Sequence, residues 1–384
     1  MLASASMALL LASQVEPGRL RTILPNGIRL QVEATNHHDR AAVAMAVSLA
    51  GLSQDDLSQG KVHLLEHLSA RGPQMDLDQR LEEQGMGLSV ITSRDAMVFR
   101  ISCRPRQASF ALESLVSLFQ PLTVTEAEIA REVAIMQEEK ALREGHQMMA
   151  RAAWKEVFTE EQADPMGFPE PGQVTPEALT VLHRRLFEGR GISIALIGGI
   201  DESSAFDRAK SAFQSIPAGS ERGAPLRSAA LKNSKLIVSG MSGAGRAVLC
   251  EGIDSTSGLA VLGAAMAISA WLEDARPFYT PSLWRGLVYV TAESPATFQA
   301  LDRLTGSQRE GLQPLAASLL QGYFRSVNRS PEAMAELQSA LALQNPTLTL
   351  KRLADMAKAV TPSQVGEAVE AFTDTKALKL EGGL

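Results

Sequence analysis

The segment KVHLLEHLSARG, residues 61–72, most restricts the folds open to this chain, because it holds two of only six histidines. If it forms a helix, His63, Glu66 and His67 fall within an arc of roughly 100°, since each residue turns the helix by about 100°. Imidazoles on adjacent turns can bind one metal ion, and the glutamate can reach a water on that ion. The alternative is a solvated helix face that carries charge and binds nothing. The rarity of H-x-x-E-H in a histidine-poor chain favours the metal site.

A hydrolytic zinc site uses three protein ligands and leaves a fourth position to water, so a third ligand must lie downstream. Residues 125–145 predict a helix rich in carboxylates. Glu132 and Glu139 are seven residues apart and point almost the same way, whereas Glu138 points about 100° away from Glu139. Glutamates on a helix are usually solvated. Helical phase therefore favours the Glu132–Glu139 pair only modestly and leaves Glu138 and Glu144 open.

The composition is that of an ordinary globular protein, and it excludes several classes. With 384 residues, the chain is long enough for two domains, each with its own core. A net charge of −6 argues against nucleic-acid binding. No apolar run is long enough to cross a bilayer. Cys103 and Cys250 show no metal or disulfide spacing, and we interpret them as small buried residues.

The first residues, MLASASMALLLASQ, contain a short apolar run followed by small residues. This pattern resembles a signal peptide that lacks the usual basic start. Residues 1–16 are therefore a candidate leader. The location of the protein, whether periplasmic, secreted or cytoplasmic, stays open on this pattern.

Strand and helix patterns occur in both halves of the chain, which predicts two α/β or α+β domains rather than a helical bundle. The Pro-Asn-Gly sequence at 25–27 predicts a tight turn between two strands. Residues 218–233 are small, polar and interrupted by proline and glycine, which is typical of a linker. The predicted domains are residues 17–217, with the metal site, and residues 234–384.

HLLEH resembles the inverted zinc-peptidase signature of the pitrilysin, insulin-degrading enzyme and mitochondrial processing peptidase family. LPNGIRL is similar to the opening hairpin of that family, TSRD to its edge-strand segment and AREVAIMQEE to its downstream ligand helix. DPMGFP, LTVLHRRLF and ISIALIGGID extend the resemblance to about residue 217, and GLVYVTAE and VTPSQVGEAVEAF carry it more thinly into the second half. The resemblance implies two similar halves of an α+β fold, each a sheet covered by helices. The second half would be shortened and would bind no metal.

The resemblance also implies a zinc site. His63 and His67 match the histidines that bind zinc, and Glu66 matches the general base. Glu139 matches the ligand glutamate, and Glu132 matches an acid that orients one of the histidines. The segment between His67 and Glu139 is a few residues shorter than the family usually keeps, at a loop where deletions are tolerated.

Other positions match the family less well. Because of the shortened segment, Glu138 competes with Glu139 for the ligand position. Tyr289 matches a tyrosine that holds the substrate backbone, although packing on a helix is an equal alternative. Ser89 stands where the edge strand of the family commonly has asparagine, so both residues are candidates for substrate binding. Ser282 stands where the family usually has an arginine near the substrate.

The implied function is zinc-dependent endopeptidase activity on peptides or unfolded segments, inside a chamber closed by a second chain. Because the arginine is missing, we expect a partner of similar fold, either a paralogue or a second copy. The first alternative is a scaffold or assembly subunit of the same family that retains zinc without useful proteolysis. The second is nucleotide binding at the glycine turns near 198–199 and 240–245, which lack a phosphate-binding motif.

Overall fold

The computed structural model describes residues 19–71, 76–142, 145–161, 163–272, 274–280, 282–373 and 377–383. The candidate leader at 1–16 and the candidate ligand Glu144 lie outside these ranges. Within the described ranges, no helix combines the length and the apolar character needed to cross a bilayer.

The described residues form strands and helices in mixed order. The strands are β1 Arg19–Ile23, β2 Arg29–Ala34, β3 Ala41–Ser48, β4 Gly87–Thr92, β5 Ala96–Cys103, β6 Ile192–Gly198, β7 Lys235–Ser239, β8 Ala244–Cys250, β9 Ala275–Phe278, β10 Gly286–Ala292 and β11 Leu378–Gly383. The helices are α1 Gln54–Leu57, α2 Lys61–Arg71, α3 Leu77–Glu82, α4 Ala108–Val116, α5 Glu126–Leu142, α6 Gly145–Val157, α7 Pro176–Leu186, α8 Glu202–Phe213, α9 Thr256–Trp271, α10 Thr297–Asp302, α11 Gly306–Val327, α12 Pro331–Gln344, α13 Leu350–Lys358 and α14 Pro362–Thr373.

The first sheet has six strands in the order β1-β2-β6-β3-β5-β4. Its opening hairpin turns where the sequence predicts: Gly27 has a φ of 87°, which glycine adopts without strain. The Asn26 amide fixes the turn by donating to the Phe213 and Ile216 carbonyls at 2.8 and 2.9 Å. The helix α2 packs against β4 at the edge of this sheet, which places the candidate metal residues there.

The central strand β3 shows why helices cover both faces of the first sheet. Val43, Met45 and Val47 join the core that also holds the leucines of α2. The alternate positions are alanines, and Ala44 is paired with Arg100 of β5, which forms an ion pair with Glu336 of α12. The small side chains on this second face let α12 pack against β3, β5 and β6.

The second sheet has five strands in the order β7-β11-β8-β10-β9. One core contains residues of α9 and α14, such as Ala264 and Phe372, together with Val288 and Val290 of β10. A smaller apolar cluster is formed by α6 with the strands, and Trp154 belongs to it. The predicted α+β class, with sheets covered by helices, is therefore confirmed.

Contacts between residues divide the chain into two compact units. Unit 1 comprises Met1–Glu138, Ala163–Ala224 and Val327–Thr347, and unit 2 comprises Glu139–Gln162, Pro225–Ser326 and Leu348–Leu384. The chain passes from unit 1 to unit 2 after residue 224, which lies inside the predicted linker at 218–233. Two segments do not follow a simple division at the linker. Residues 327–347 belong to unit 1, because α12 packs on the first sheet, and residues 139–162 belong to unit 2, because α6 packs on the second.

Several elements were not expected from the sequence. The strand β9 contains Pro277 and has only four residues, and β11 contains two glycines, so neither shows a strand pattern. Cys103 and Cys250 are buried free thiols, as expected, and burial raises the pKa of Cys103 to about 12.

Candidate metal centre

Three of the predicted side chains meet. One ligand atom from each of His63, His67 and Glu139 lies within 4.8 Å of the other two. Among the described residues, this is the group that could bind a metal ion. It brings together α2 and α5, and α5 begins 55 residues after the end of α2. Two imidazole nitrogens and one carboxylate oxygen are the donor set that zinc prefers in catalytic sites.

His63 is held on the buried side of α2. The neighbouring leucines of the helix are fully buried, so the helix cannot rotate without exposing them. The Nδ1 atom of His63 lies 3.0 Å from the Gly167 carbonyl oxygen, and its ring lies 5.1 Å from the Phe168 ring. Because a carbonyl can only accept, Nδ1 carries the proton and Nε2 keeps its lone pair for a cation.

His67 has a different partner, the carboxylate of Glu132. The Nδ1 atom of His67 lies 3.5 Å from Oε2 of Glu132, whose side chain is 4% exposed. The helix α5 brings the acid there because Ile129, Val133 and Met136 on the same side are buried in the core. As with His63, a partner at Nδ1 leaves Nε2 for a cation.

The two competing glutamates of α5 differ in exposure. Glu139 is half-buried and belongs to the cluster, whereas Glu138 is exposed to solvent. Glu132 and Glu139 therefore share one side of α5, as their spacing of seven residues indicates. The structure brings together Glu139, not Glu138, with the histidines.

Glu66 lies on the same helix as both histidines and has a partner that the sequence did not predict. The hydroxyl of Thr92 donates a hydrogen bond to Oε2 of Glu66. Thr92 ends β4, and Leu88 and Val90 at alternate positions pack against the core, so all three share the face of the strand toward α2. In the sequence, Thr92 is marked only by its place in the TSRD segment. That segment resembles a segment of the family, but the resemblance assigns Thr92 no role.

Ser89, one of the residues proposed for substrate contact, lies on the edge strand of the first sheet. Ser89 is half-buried on β4, the last strand of the first sheet, and is paired with Arg100. Arg100 faces α12, so Ser89 points to the face of the sheet opposite Glu66. Ser89 therefore borders the open edge of β4 through its backbone, whereas its side chain lies on the face away from Thr92.

Tyr289 and Ser282 belong to unit 2. Tyr289 is 4% exposed in the apolar cluster beside α6, with its ring 6.0 Å from that of Phe278. Ser282 shapes a turn, because its hydroxyl accepts from the Trp284 amide at 3.0 Å. Its carbonyl accepts from the Ile253 amide at 3.0 Å. The packing of Tyr289 is what a structural role alone would give, so its role toward substrate stays a prediction.

Two of the other histidines, His183 and His37, have ordinary structural partners. His183 lies with Nε2 3.0 Å from the Leu118 carbonyl and stacks on Phe187 at 4.5 Å. Burial lowers the pKa of His183 to about 4, and its hydrogen bond to Leu118 only partly offsets this. Nδ1 of His37 lies 3.0 Å from the Thr35 hydroxyl, within hydrogen-bond distance.

The donor set passes a simple test of fit to zinc. Tetrahedral zinc holds nitrogen and oxygen ligands at about 2.0–2.1 Å, which puts them roughly 3.3 Å apart. A cluster whose atoms all lie within 4.8 Å of one another needs only small side-chain adjustments to reach that spacing. Partners at Nδ1 of both histidines further favour cation binding through Nε2.

Known proteins resemble the chain in sequence and in fold. Residues 29–163 match the family model described as Insulinase (Peptidase family M16). Over 119 residues, 30% of this chain, the sequence is 30% identical to the mitochondrial-processing peptidase subunit beta of Mus musculus. The matched stretch is 24% of the length of that subunit.

Two solved structures share the fold over nearly the whole chain. A protease from Helicobacter pylori has a TM-score of 0.78 at 15% identity, and the alignment covers 96% of this chain and 100% of that one. The periplasmic protease PqqL from Escherichia coli has a TM-score of 0.69 at 14% identity, with 97% of this chain and 48% of that chain covered. At these identities the likeness shows the fold alone.

Proposed function

The chain belongs to the insulinase-like M16 peptidase family through residues 29–163, and from this premise we propose that it is a zinc-dependent endopeptidase. The single observation that carries the proposal is the convergence of His63, His67 and Glu139 within 4.8 Å, with Glu66 on the same helix as the histidines. A family match supports a peptidase-type function, and the donor set supports zinc as its metal.

The three converging residues would hold the metal through two imidazole nitrogens and one carboxylate oxygen. When bound, zinc supplies Lewis acidity, which lowers the pKa of water and polarises a carbonyl group. The Gly167 carbonyl, 3.0 Å from Nδ1 of His63, orients the first ring, and the Glu132 carboxylate, 3.5 Å from Nδ1 of His67, favours one orientation of the second. These partners set the ring positions before any cation arrives, which reduces the cost of binding.

Glu66 would act as the general base and then as the general acid. Its carboxylate accepts the proton of the attacking water and delivers it to the leaving amine. The hydrogen bond from Thr92 to Oε2 orients the carboxylate for this proton transfer. The residue is half-buried, so bulk water does not fully screen it from the reacting groups.

The edge strand β4 suggests how a peptide would lie. It is the last strand of the first sheet and ends at Thr92, whose hydroxyl contacts Glu66. An extended peptide can add to such an edge through main-chain hydrogen bonds, which is a sequence-tolerant mode of recognition. In this proposal Ser89 contributes its backbone to the added strand, and the substrate is a peptide or an unfolded segment.

We also propose a partner chain of similar fold that closes the chamber, either a paralogue or a second copy. The chain covers 48% of the length of the PqqL chain, which therefore has room for a second portion of comparable size. Ser282, in place of an arginine, leaves a substrate contact to be supplied from elsewhere. The rival proposal, a scaffold subunit that retains zinc, is not favoured by the complete set of His63, Glu66, His67 and Glu139.

One sample can test these proposals. We expect the purified chain to bind about one zinc ion and to cleave unstructured peptides, with cleavage lost on chelation and restored by zinc. Glu66→Gln should keep the metal, because Glu66 is outside the ligand cluster, and should lose at least about 100-fold in turnover. Full zinc content without any cleavage by wild-type protein, alone or with its co-purifying chain, would support the scaffold instead.

A further inference from the structure

A second candidate site lies at the opposite edge of the first sheet, away from β4. A pocket open to solvent is lined by residues of β1, of β2 and of the loop after α12. Its polar lining comes from Arg21, Arg29 and Gln31, with Thr22 and Thr347 beside them. All of these residues belong to unit 1, so the pocket is formed within one compact unit.

The strand register explains why these polar groups converge. Arg21 is directly opposite Gln31, and Arg29 lies two residues before Gln31, so the three share one face of the β1–β2 pair. Leu30 and Val32, at the alternate positions of β2, face the core. At the centre of the sheet the same face is covered by α12, but that helix ends at Gln344.

The buried amide of Gln31 is the most informative group. Gln31 is only 5% exposed, and neither its Oε1 nor its Nε2 atom has a hydrogen-bond partner among the described residues. A buried amide without partners costs stability unless a ligand or water satisfies it. Because Gln31 belongs to the lining of the pocket, a ligand bound there is a candidate partner for its Nε2 donor.

The charge of Arg29 is also uncompensated by the described part of the chain. Its Nη1 donates to the Arg190 carbonyl at 3.0 Å, and its Nε is buried without an acceptor. The acid on the same strand face, Glu33, is already engaged by both Nε and Nη2 of Arg19, at 2.7 and 2.6 Å. Burial lowers the pKa of Arg29, which is the expected cost of a desolvated cation that lacks an anion.

We propose that this pocket binds a phosphoryl group, either free phosphate or the phosphate of a small monoester. A carboxylate has two oxygens, which one guanidinium can satisfy, whereas a tetrahedral oxyanion has further oxygens and can accept from the Arg29 guanidinium and the Gln31 amide together. Ile23 and Pro346 form an apolar wall that the organic part of a monoester can contact. The site is independent of the proposed zinc centre and of peptide cleavage.

The test is calorimetric titration of the full chain with inorganic phosphate and, separately, with AMP, at constant ionic strength. Wild type should bind at least one of them saturably in the millimolar range or tighter. Arg29→Gln and Gln31→Leu should each weaken binding at least about tenfold, because each removes a donor to a charged oxyanion. Arg184→Gln is the matched control, since Arg184 is an exposed arginine on α7, and it should bind as wild type does.

A melting curve without phosphate separates a binding role of Gln31 from a structural one. Gln31→Leu should melt at the same or a higher temperature than wild type, because a buried amide without partners is replaced by an apolar group of similar size. Binding of AMP but not phosphate identifies a monoester site, and binding of phosphate alone identifies an ion site. The absence of saturable binding, equal affinity in all variants, or a lower melting temperature of Gln31→Leu would each overturn the proposal.

Discussion

Replacement of Glu132 by glutamine tests whether the metal centre depends on a residue that does not bind the metal. The Glu132 carboxylate lies 3.5 Å from Nδ1 of His67, and the two side chains are 4% and 12% exposed, so water screens their interaction little. Glutamine keeps the shape and an accepting oxygen but loses the charge. His67 should then be a weaker donor to a cation, although its ring keeps the same position.

The expected loss follows from the usual contribution of such partners. Removing an outer partner of a metal-binding histidine costs about 10- to 100-fold in metal affinity, or about 1.4–2.7 kcal/mol. We therefore expect Glu132→Gln to bind zinc at least about tenfold more weakly in competition with a chelator of known affinity. Glu138→Gln is the matched control, because it makes the same change at an exposed position of the same helix.

Melting of the metal-free proteins decides whether the effect is on the metal or on the fold. The buried carboxylate of Glu132 carries a desolvation cost in the absence of metal, so Glu132→Gln should melt no lower than wild type without zinc. The absorption spectrum of the cobalt-substituted variant should shift in the visible region, since the field of one ligand changes. Zinc affinity within threefold of wild type, or an equal loss in Glu138→Gln, would refute the reasoning.

The remaining predictions concern Glu66 and a buried histidine. Thr92→Val should lower kcat about tenfold with little change in KM or zinc content, because Glu66 loses the hydrogen bond that orients it. Thr92→Ser, which keeps the hydroxyl, should retain most of the wild-type rate. An unchanged kcat in Thr92→Val would contradict this role. Burial lowers the pKa of His183 from 6.5 to about 4, so the unfolded chain takes up the proton first as the pH falls. The contribution of neutral, buried His183 to the free energy of unfolding is fully present above pH 6.5 and is lost progressively toward pH 4. The loss is about 2 kcal/mol between pH 7.5 and 5. Urea midpoints of wild type and His183→Gln should therefore converge or cross as the pH falls, and parallel pH profiles would exclude the effect.

The core of the candidate site could be predicted from the sequence because it depends on local periodicity. Helical phase alone places His63 and His67 on one face, and it relates Glu132 to Glu139 in the same way. The choice of Glu139 over Glu138 needed either a family resemblance or the structure, since both are glutamates on one helix. Exposure of Glu138 now gives the physical reason for that choice.

Other parts of the fold left little trace in the sequence. The strand β11 reads LKLEGG, in which glycines weaken the strand pattern, and it forms only because β7 and β8 pair with it on either side. The residues of α12 have the apolar spacing of a helix, but this spacing does not tell which sheet the helix covers. The alanines of β3 hold that information, because small residues at alternate positions are what allows a helix to pack closely on a strand.

The partners of the motif come from distant parts of the chain, and this limits what H-x-x-E-H can show by itself. Glu66 receives its hydrogen bond from a residue 26 positions away, and His63 contacts a carbonyl 104 positions away. The second contact is made by backbone, which any residue type can provide, so no side-chain pattern can reveal it. It requires that residues 164–169 keep their turn, in which the Gly167 amide donates to the Asp164 carbonyl at 2.9 Å. A chain can therefore keep the motif and still lose the centre through a change in that turn, so the geometry around the histidines is a stronger indication of a working site than the motif is.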